Sequence, residues 1–200
     1  MTDRKLTHLT PQFEAALVYA TQLHAQQRRK VTHTPYIAHL LSVTALVLED
    51  GGSEEEAIAA LLHDAVEDQG GAITRAEIRR RFGSTVTVLV DGCTEPEVAP
   101  TMTWKEHKQL YLDQLRQGSP QVRRVALADK LHNARTLLIN WRLAGESIWS
   151  EFRGGKENVL WLHEALLELF RQMSNSWMVE ELEQVMRELR QLIATEKLPP

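Results

Sequence analysis

Helix-start signals recur along this 200-residue chain, and they constrain its fold more than any other feature does. A Ser or Thr followed three residues later by Glu satisfies two of the backbone amides that open a helix. The sequence has this pair at Ser53, Thr74 and Thr103, and a hydroxyl cap followed by proline at Thr10-Pro11, Thr34-Pro35 and Ser119-Pro120. Apolar residues then recur at helical spacing. The pattern predicts helices over about residues 11–28, 35–49, 54–67, 75–82, 84–94, 104–117, 120–144, 156–172 and 177–195.

No segment alternates apolar and polar residues as a strand does, so we expect an all-α fold of about eight or nine helices. A hydrophobic content of 43% in 200 residues supplies one core without disulfides. We expect a single domain over residues 1–200, with a core over about 10–145 and a C-terminal helical hairpin over about 156–195. A narrow seam on the last helix either pairs with a second copy in a homodimer or packs on the chain's own core; it comprises Leu182, Val185, Leu189 and Leu192.

Charge and hydropathy exclude several functional classes. Lys and Arg number 23 against 27 Asp and Glu, so the net charge of −4 provides no basic field that would attract DNA or RNA. The longest apolar runs are far shorter than the roughly 20 residues that cross a bilayer. No apolar stretch follows the first residues, so we predict no signal peptide. The single cysteine, Cys93, agrees with a reducing compartment. We therefore expect a cytoplasmic protein that binds neither nucleic acid nor membrane.

Carboxylates cluster beside a histidine at the end of the apolar run 57–62. His63 and Asp64 are followed four residues later by Glu67 and Asp68, so all four share one broad face of the predicted helix. Either His63 or Asp64 alone is equally well explained as a capped or salt-bridged helix end. Three carboxylates beside one imidazole, however, repel one another unless a cation joins them. A divalent ion with ordered waters is the economical explanation.

Two further candidate ligands lie on other helices. His39 is one turn into the helix that starts at Thr34-Pro35, and Asp129 interrupts an otherwise apolar run. Together with His63 and Asp64 they form a mixed imidazole and carboxylate set, which leaves about two positions for water or substrate on a six-coordinate ion. Such a set favours one Mn²⁺, with Mg²⁺, Co²⁺, Fe²⁺, Ni²⁺ or Zn²⁺ as alternatives. Asn133, one turn after Asp129, is predicted to bind a phosphate oxygen or a base edge.

These residues stand in blocks that resemble a known family, the HD-domain metal-dependent phosphohydrolases. The blocks are His39, then His63-Asp64-Ala65-Val66-Glu67-Asp68, then Leu127-Ala128-Asp129-Lys130-Leu131-His132-Asn133. An opening block over 24–39 and a middle block over 82–92 are also similar. The resemblance runs from about His24 to Leu138 and is greatest to the alarmone hydrolases, which comprise the hydrolase half of the RelA/SpoT enzymes and their stand-alone relatives.

The resemblance implies an HD-domain helical bundle and a role for each matching residue. It implies metal ligation by His39, His63, Asp64 and Asp129, activation of the attacking water by Glu67 with Asp68, and phosphate contact from Arg29 and Lys30. The chemistry agrees, because a metal lowers the pKa of water and a neighbouring carboxylate can accept its proton. Without the resemblance, Arg29 and Lys30 are interpreted as the solvated, basic end of the first helix.

The chain departs from the family pattern in two places beside the predicted site. The turn from Val31 to Thr34 is one residue longer than the family's usual turn. Glu95 stands where the family has the lysine of a Gly-Val-Thr-Lys-Leu pattern, which removes a positive charge from that side and adds a carboxylate. His24 and His132 are interpreted as structural.

Basic and aromatic residues outside the family blocks have two interpretations each. Lys105 and Lys108 lie near Trp104 and either face the substrate phosphates or are solvated surface lysines. The segment from Trp141 to Trp161 either closes over a nucleotide as a lid or belongs to the core, and the large apolar area of tryptophan favours the core.

The predicted function is that of a metal-dependent phosphohydrolase acting on a small-molecule nucleotide. The resemblance implies a pyrophosphohydrolase that removes the 3′-pyrophosphate of (p)ppGpp or a related nucleotide. A 5′-mononucleotidase or another HD phosphatase, and a non-catalytic nucleotide-binding sensor, are the alternatives. The presence of both Glu67 and Asp68 argues against the sensor, which would need no proton acceptor.

Overall fold

The computed structural model describes residues 7–196 as a bundle of α-helices. Its helices are α1 (Pro11–Leu23), α2 (Ile37–Glu49), α3 (Glu54–Leu62), α4 (Ala65–Asp68), α5 (Gly71–Cys93), α6 (Trp104–Gln117), α7 (Pro120–Ala144), a 3₁₀ helix (Gly145–Glu151), α8 (Gly155–Met173) and α9 (Trp177–Glu196). Within the described residues the only β-type pairing is one isolated bridge between Arg28 and Pro35. The prediction of an all-α fold is confirmed. The opening residues on which the signal-peptide prediction partly rests lie outside the described range.

Local capping explains where several helices begin. Ser53 and Thr103 each accept a hydrogen bond from the amide three residues later, and Glu56 and Glu106 close the two capping boxes as predicted. Thr74 behaves differently. It lies inside α5, which begins at Gly71, and its buried hydroxyl bonds the carbonyl of Gln69. The predicted start near residue 75 is therefore wrong by about one turn.

The first helix is shorter than predicted, because α1 ends at Leu23 rather than at 28. Residues 24–36 form turns and a narrow hairpin instead, in which the Arg29 amide bonds the Thr34 carbonyl (2.9 Å) and the Tyr36 amide bonds the Gln27 carbonyl (3.0 Å). The consecutive basic residues Arg28, Arg29 and Lys30 offer no apolar stripe for a helix to bury, so the backbone pairs across the turn.

A glycine interrupts α5 in the middle of its length. Gly83 has φ 84° and ψ 178°, a left-handed region that favours glycine, and the helix resumes beyond it. The sequence predicts separate helices over 75–82 and 84–94, and the break lies at the predicted junction. The turn lets the second half of α5 bury Val86, Leu89 and Val90 in the core.

Helix α7 lies at the centre of the bundle and packs against α2, α3, α5, α8 and α9. Its buried face includes Val125, Leu127 and Leu131, and the same helix carries Asp129. The seam on α9 packs inward, since Leu182, Val185 and Leu189 are buried in the core cluster. The chain's own core therefore covers this seam. No helix among the described residues combines the length and apolar character needed to cross a bilayer.

A buried ion cluster joins four helices away from the site. The Arg124 guanidinium on α7 binds Asp50, just beyond α2, at 2.9 Å and also binds Glu56 on α3. Asp50 accepts a further bond from the Ser176 hydroxyl, which precedes α9, at 2.6 Å. Because Asp50 and Glu56 are nearly inaccessible to solvent, this one guanidinium compensates two buried negative charges.

Candidate metal centre

Four side chains from three parts of the bundle converge in the buried centre. His39 projects from the first turn of α2, His63 and Asp64 follow the end of α3, and Asp129 projects from the middle of α7. His39 Nε2 lies 3.2 Å from Asp129 Oδ1 and 3.5 Å from Asp64 Oδ2. His63 Nε2 lies 3.1 Å from Asp64 Oδ2 and 3.6 Å from Asp129 Oδ1. The exposures of His39, His63 and Asp129 are only 1%, 3% and 5%.

A helix break allows two consecutive residues to face one centre. Neighbouring side chains on a regular helix diverge by about 100°. The predicted helix over 54–67 instead ends at Leu62, His63 and Asp64 form a turn, and α4 starts at Ala65. His63 and Asp64 therefore both reach the centre. They do so from a turn between two helices and not from one face of a continuous helix, as the sequence predicts.

Hydrogen bonds on the far side of each imidazole orient the ring. Nδ1 of His63 donates to the Ala60 carbonyl at 2.8 Å, which leaves Nε2 directed at the acids. Nδ1 of His39 lies 2.8 Å from Nδ1 of His132. Burial, together with the nearby His39 and Arg29, lowers the pKa of His132 to about 4, which favours its neutral form. A cation bound at Nε2 of His39 would require the proton on Nδ1 of that ring, and His39 would then donate this bond to His132. Partners of this kind set the tautomer of metal-binding histidines.

The donor set fits a divalent cation. Nε2 of His63 is buried and has no hydrogen-bond partner of acceptable geometry among residues 7–196. Ligand atoms of His39, His63 and Asp129 all lie within 4.8 Å of one another, and Asp64 Oδ2 borders both imidazoles. Two imidazole nitrogens with two carboxylates form a mixed set that suits a first-row divalent ion such as Mn²⁺, Fe²⁺, Co²⁺ or Zn²⁺.

The buried carboxylates of this centre also favour a positive charge beside them. Burial alone lowers the pKa of His63, but the carboxylates of Asp64 and Asp129 outweigh burial and hold that pKa well above its usual value. Burial alone raises the pKa of Asp129, but the Lys130 ammonium and the two imidazoles keep it well below its usual range. A proton or a metal ion at Nε2 of His63 would neutralise the same acids, so the two compete.

Three further side chains hold the carboxylates: the sequence interpretation missed Tyr36 and Lys130, and it gave Asn133 a different role, contact with substrate. The Tyr36 hydroxyl donates to Asp64 Oδ2 at 2.6 Å. The Lys130 ammonium lies 2.7 Å from Asp129 Oδ2, and the Asn133 amide donates to Asp129 Oδ1 at 2.6 Å. Tyr36 and Lys130 stand inside the family blocks beside His39 and Asp129, and this adjacency is the only signal that the sequence offers for them.

Glu67 and Asp68 lie on α4 at the exposed rim of the centre. Glu67 Oε2 accepts the backbone amide of Glu95 at 3.3 Å, and Asp68 Oδ2 accepts the side-chain amide of Gln27 at 2.7 Å. Partial desolvation, with the nearby Glu95 carboxylate, raises the pKa of Glu67. Partial desolvation also raises the pKa of Asp68, against the opposing bond from Gln27. Both carboxyl groups are therefore better proton acceptors than a fully solvated carboxylate.

The hairpin between α1 and α2 carries the predicted phosphate contacts. The Arg29 guanidinium donates to Asn133 Oδ1 at 2.9 Å and lies 5.7 Å from the centre of the Tyr36 ring. Asn133 thus links Arg29 to Asp129. Lys30 is exposed on the same hairpin. The interpretation of Arg29 and Lys30 as the end of a helix is wrong, because α1 ends six residues before Arg29.

The structure places Lys105 and Lys108 against aromatic rings on α6 and α8. Lys108 forms an ion pair with Glu95 and lies 5.5 Å from the Trp104 ring, and Lys105 lies 4.7 Å from the Trp161 ring. Glu95, which departs from the family pattern, therefore pairs with Lys108 and neutralises its positive charge. Lys108 still lies near the centre, because its partner Glu95 donates a backbone hydrogen bond to Glu67.

Two of the three remaining tryptophans, Trp141 and Trp149, belong to the core. Trp141 and Trp149 are 5% and 7% exposed, and their rings lie 5.6 Å apart. Lys156 covers both rings and pairs with Glu146. The burial of Trp141 and Trp149 supports the interpretation of the segment from Trp141 to Trp161 as part of the core and not as a lid.

Comparison with known proteins finds relatives over most of the chain. A family model described as HD domain matches residues 16–154. The chain is 39% identical over 148 residues to a guanosine-3′,5′-bis(diphosphate) 3′-pyrophosphohydrolase of Xenopus tropicalis, covering 70% of this chain and 78% of that one. It is 34% identical over 173 residues to the mouse (Mus musculus) protein of that name, covering 85% and 90%. A solved structure described as a metazoan orthologue of SpoT that hydrolyses ppGpp superposes with a TM-score of 0.75 at 26% identity, covering 94% of this chain and 99% of that chain.

Proposed function

Because the chain belongs to the HD-domain family, we propose that it is a metal-dependent pyrophosphohydrolase that removes the 3′-pyrophosphate of (p)ppGpp or a closely related nucleotide. One observation carries the proposal. The convergent set of His39, His63, Asp64 and Asp129 lies beside two carboxylates at the rim. The relatives that this chain matches over most of their length are named guanosine-3′,5′-bis(diphosphate) 3′-pyrophosphohydrolases.

The four converging residues would hold one divalent cation, for which we propose Mn²⁺ because the set mixes imidazole and carboxylate ligands. When bound, the cation supplies Lewis-acid chemistry by polarising a phosphoryl oxygen and lowering the pKa of water. Tyr36, Asn133 and His132 keep the ligands in place by hydrogen bonds to Asp64, Asp129 and His39 respectively.

Glu67 is proposed to accept a proton from the attacking water. The water oxygen forms a bond to the phosphorus that is esterified to the 3′-oxygen, and the bond from that phosphorus to the 3′-oxygen breaks. The 3′-oxygen takes up a proton, and pyrophosphate leaves as one unit. Asp68, one residue further along α4, supports the proton acceptor at the rim. A carboxyl group of raised pKa suits this role, because it binds a proton more readily than a solvated one.

Arg29 and Lys30 are proposed to bind the departing pyrophosphate, and Asn133 to hold Arg29 in place before substrate arrives. A guanidinium offers paired donors that match phosphate oxygens. Lys105 and Lys108, both on α6, are proposed as outer phosphate contacts. Lys108 reaches a phosphate only by exchanging its bond to Glu95.

The location that we propose is the cytoplasm. Cys93 is free and buried. A free thiol suits a reducing compartment, although a buried thiol does not require one. Fractionation of cells that express the tagged chain, read against a marker for each compartment, tests this point.

The test of the function is ³¹P NMR of the purified chain with ppGpp and Mn²⁺. We expect pyrophosphate and GDP, no reaction after chelation of the metal, and no reaction by Asp64→Ala. Orthophosphate released from 5′-mononucleotides, with ppGpp untouched, would instead establish a mononucleotidase. Binding of ppGpp without turnover in any divalent metal would establish a sensor.

A further inference from the structure

A glutamine outside the proposed ligand set makes three side-chain hydrogen bonds at the rim of the centre. Gln27 lies in the hairpin between α1 and α2 and is partly buried. Its amide nitrogen donates to Asp68 Oδ2 at 2.7 Å. Its amide oxygen lies 2.6 Å from Gln69 Nε2 and 2.6 Å from His24 Nδ1. One side chain therefore links α1, the hairpin and the end of α4.

The donors and acceptors around Gln27 allow one orientation of its amide. Gln69 presents an N–H to Oε1, and a neutral His24 with its proton on Nδ1 presents another. His24 is buried and stacks on Tyr36 at 5.2 Å between ring centres, so its ring is held in place. The ionised Asp68 carboxylate only accepts hydrogen bonds, so the amide nitrogen faces it, and the proton on Nδ1 of His24 follows from the acceptor Oε1 that this ring faces.

The backbone of Gln27 is also anchored to the metal centre. Its carbonyl accepts the Tyr36 amide at 3.0 Å, and the Tyr36 hydroxyl in turn bonds Asp64. The Gln27 side chain thus projects from a fixed point of the hairpin. Asp68, by contrast, ends a helix of only four residues and is exposed, so its own helix does little to restrict the carboxylate.

We propose that Gln27 is a positioning residue that holds the Asp68 carboxylate in its working orientation. It does so through a hydrogen bond to Asp68 and does not contact the reacting phosphorus. The role rests on the proposed function in one respect: Asp68 must take part in hydrolysis. Positioning of this kind matters because small displacements of a catalytic group cost large factors in rate.

The first test compares Gln27→Met with Gln26→Met. Methionine keeps the length of Gln27 and removes its hydrogen bonds, and Gln26 is an exposed neighbour on the same turn. We expect Gln27→Met to lower kcat by about 10-fold or more, with KM and bound metal close to those of the native chain. Gln26→Met should match the native chain in all three measurements.

A double-mutant cycle with Asp68→Ala separates positioning from a general loss of structure. If Gln27 acts through Asp68, the substitution Gln27→Met should lower kcat little further once Asp68 is alanine. An equal fold-loss in both backgrounds, or a Gln27→Met variant as active as the native chain, would overturn the proposal.

NMR of the side-chain amides provides a readout that needs no turnover. We expect slow hydrogen exchange at the Gln27 amide in the native chain and fast exchange in Asp68→Ala, with Gln26 fast in both. Gln27 exchanging as fast as Gln26 in the native chain would overturn the positioning role whatever the substrate is. A native chain that hydrolyses no nucleotide but protects the Gln27 amide would overturn the proposed function and leave the Gln27 contact established.

Discussion

Replacing Glu67 by glutamine tests the proposed chemistry most directly. The glutamine keeps the shape of the side chain and an oxygen that can accept the Glu95 amide, now 3.3 Å from Glu67 Oε2. It removes the negative charge of the carboxylate and with it the ability to take up a proton. Because Glu67 is not among the converging ligands, the substitution should leave metal content unchanged.

The expected loss follows from the role of a single proton acceptor. General-base catalysis contributes about 10²- to 10⁴-fold. Asp68 lies next to Glu67 on α4 with a raised pKa of its own, and it can take over part of the task. We therefore expect the lower end, a fall in kcat of about 100-fold, or about 2.7 kcal/mol of activation free energy.

The pH profile gives a second, independent readout of Glu67. A base must be ionised, so activity should fall as the pH drops through the pKa of Glu67, which desolvation and the Glu95 carboxylate raise. Glu95→Gln removes that like charge and frees the Lys108 ammonium beside it. Both changes favour the ionised form, and the acid limb of kcat/KM should move to lower pH.

The assay is the initial rate of pyrophosphate release, with metal content measured on the same preparations. Glu67→Gln with activity within a few-fold of the native chain would refute the assignment of the proton acceptor. An acid limb that stays in place or moves to higher pH in Glu95→Gln would refute the electrostatic argument.

Three further substitutions test the ligands, the phosphate contacts and the core. Asp64→Ala should lose the divalent ion in elemental analysis, and retention of stoichiometric metal would contradict the ligand set. Arg29→Ala should lower kcat/KM for a 3′-pyrophosphorylated nucleotide far more than for a small chromogenic phosphate ester, whereas equal losses would contradict a pyrophosphate contact. Arg124→Met should lower the free energy of unfolding by about 3 kcal/mol in urea titration, because it strands the buried carboxylates of Asp50 and Glu56. A loss below about 1 kcal/mol would mean that solvent already screens that cluster.

The sequence by itself determined the helical class, most helix starts and the chemical identity of the candidate ligands. The capping boxes at Ser53 and Thr103 form where predicted, because their hydrogen bonds close within three residues and need nothing from the rest of the chain. Residue type alone marked His39 and Asp129 as ionisable groups in apolar surroundings, and such groups require partners.

Only the tertiary structure decided how these parts meet. The break at His63 depends on packing across the bundle, and no local propensity predicts it. The pairing of Lys108 with Glu95 spans 13 residues, the bond from Gln27 to Asp68 spans 41, and the bond from Arg29 to Asn133 spans 104. The burial of the α9 seam against the chain's own core is of the same kind. Periodicity records which side of a helix is apolar but not which surface covers it, so such contacts become visible only when the helices are packed together.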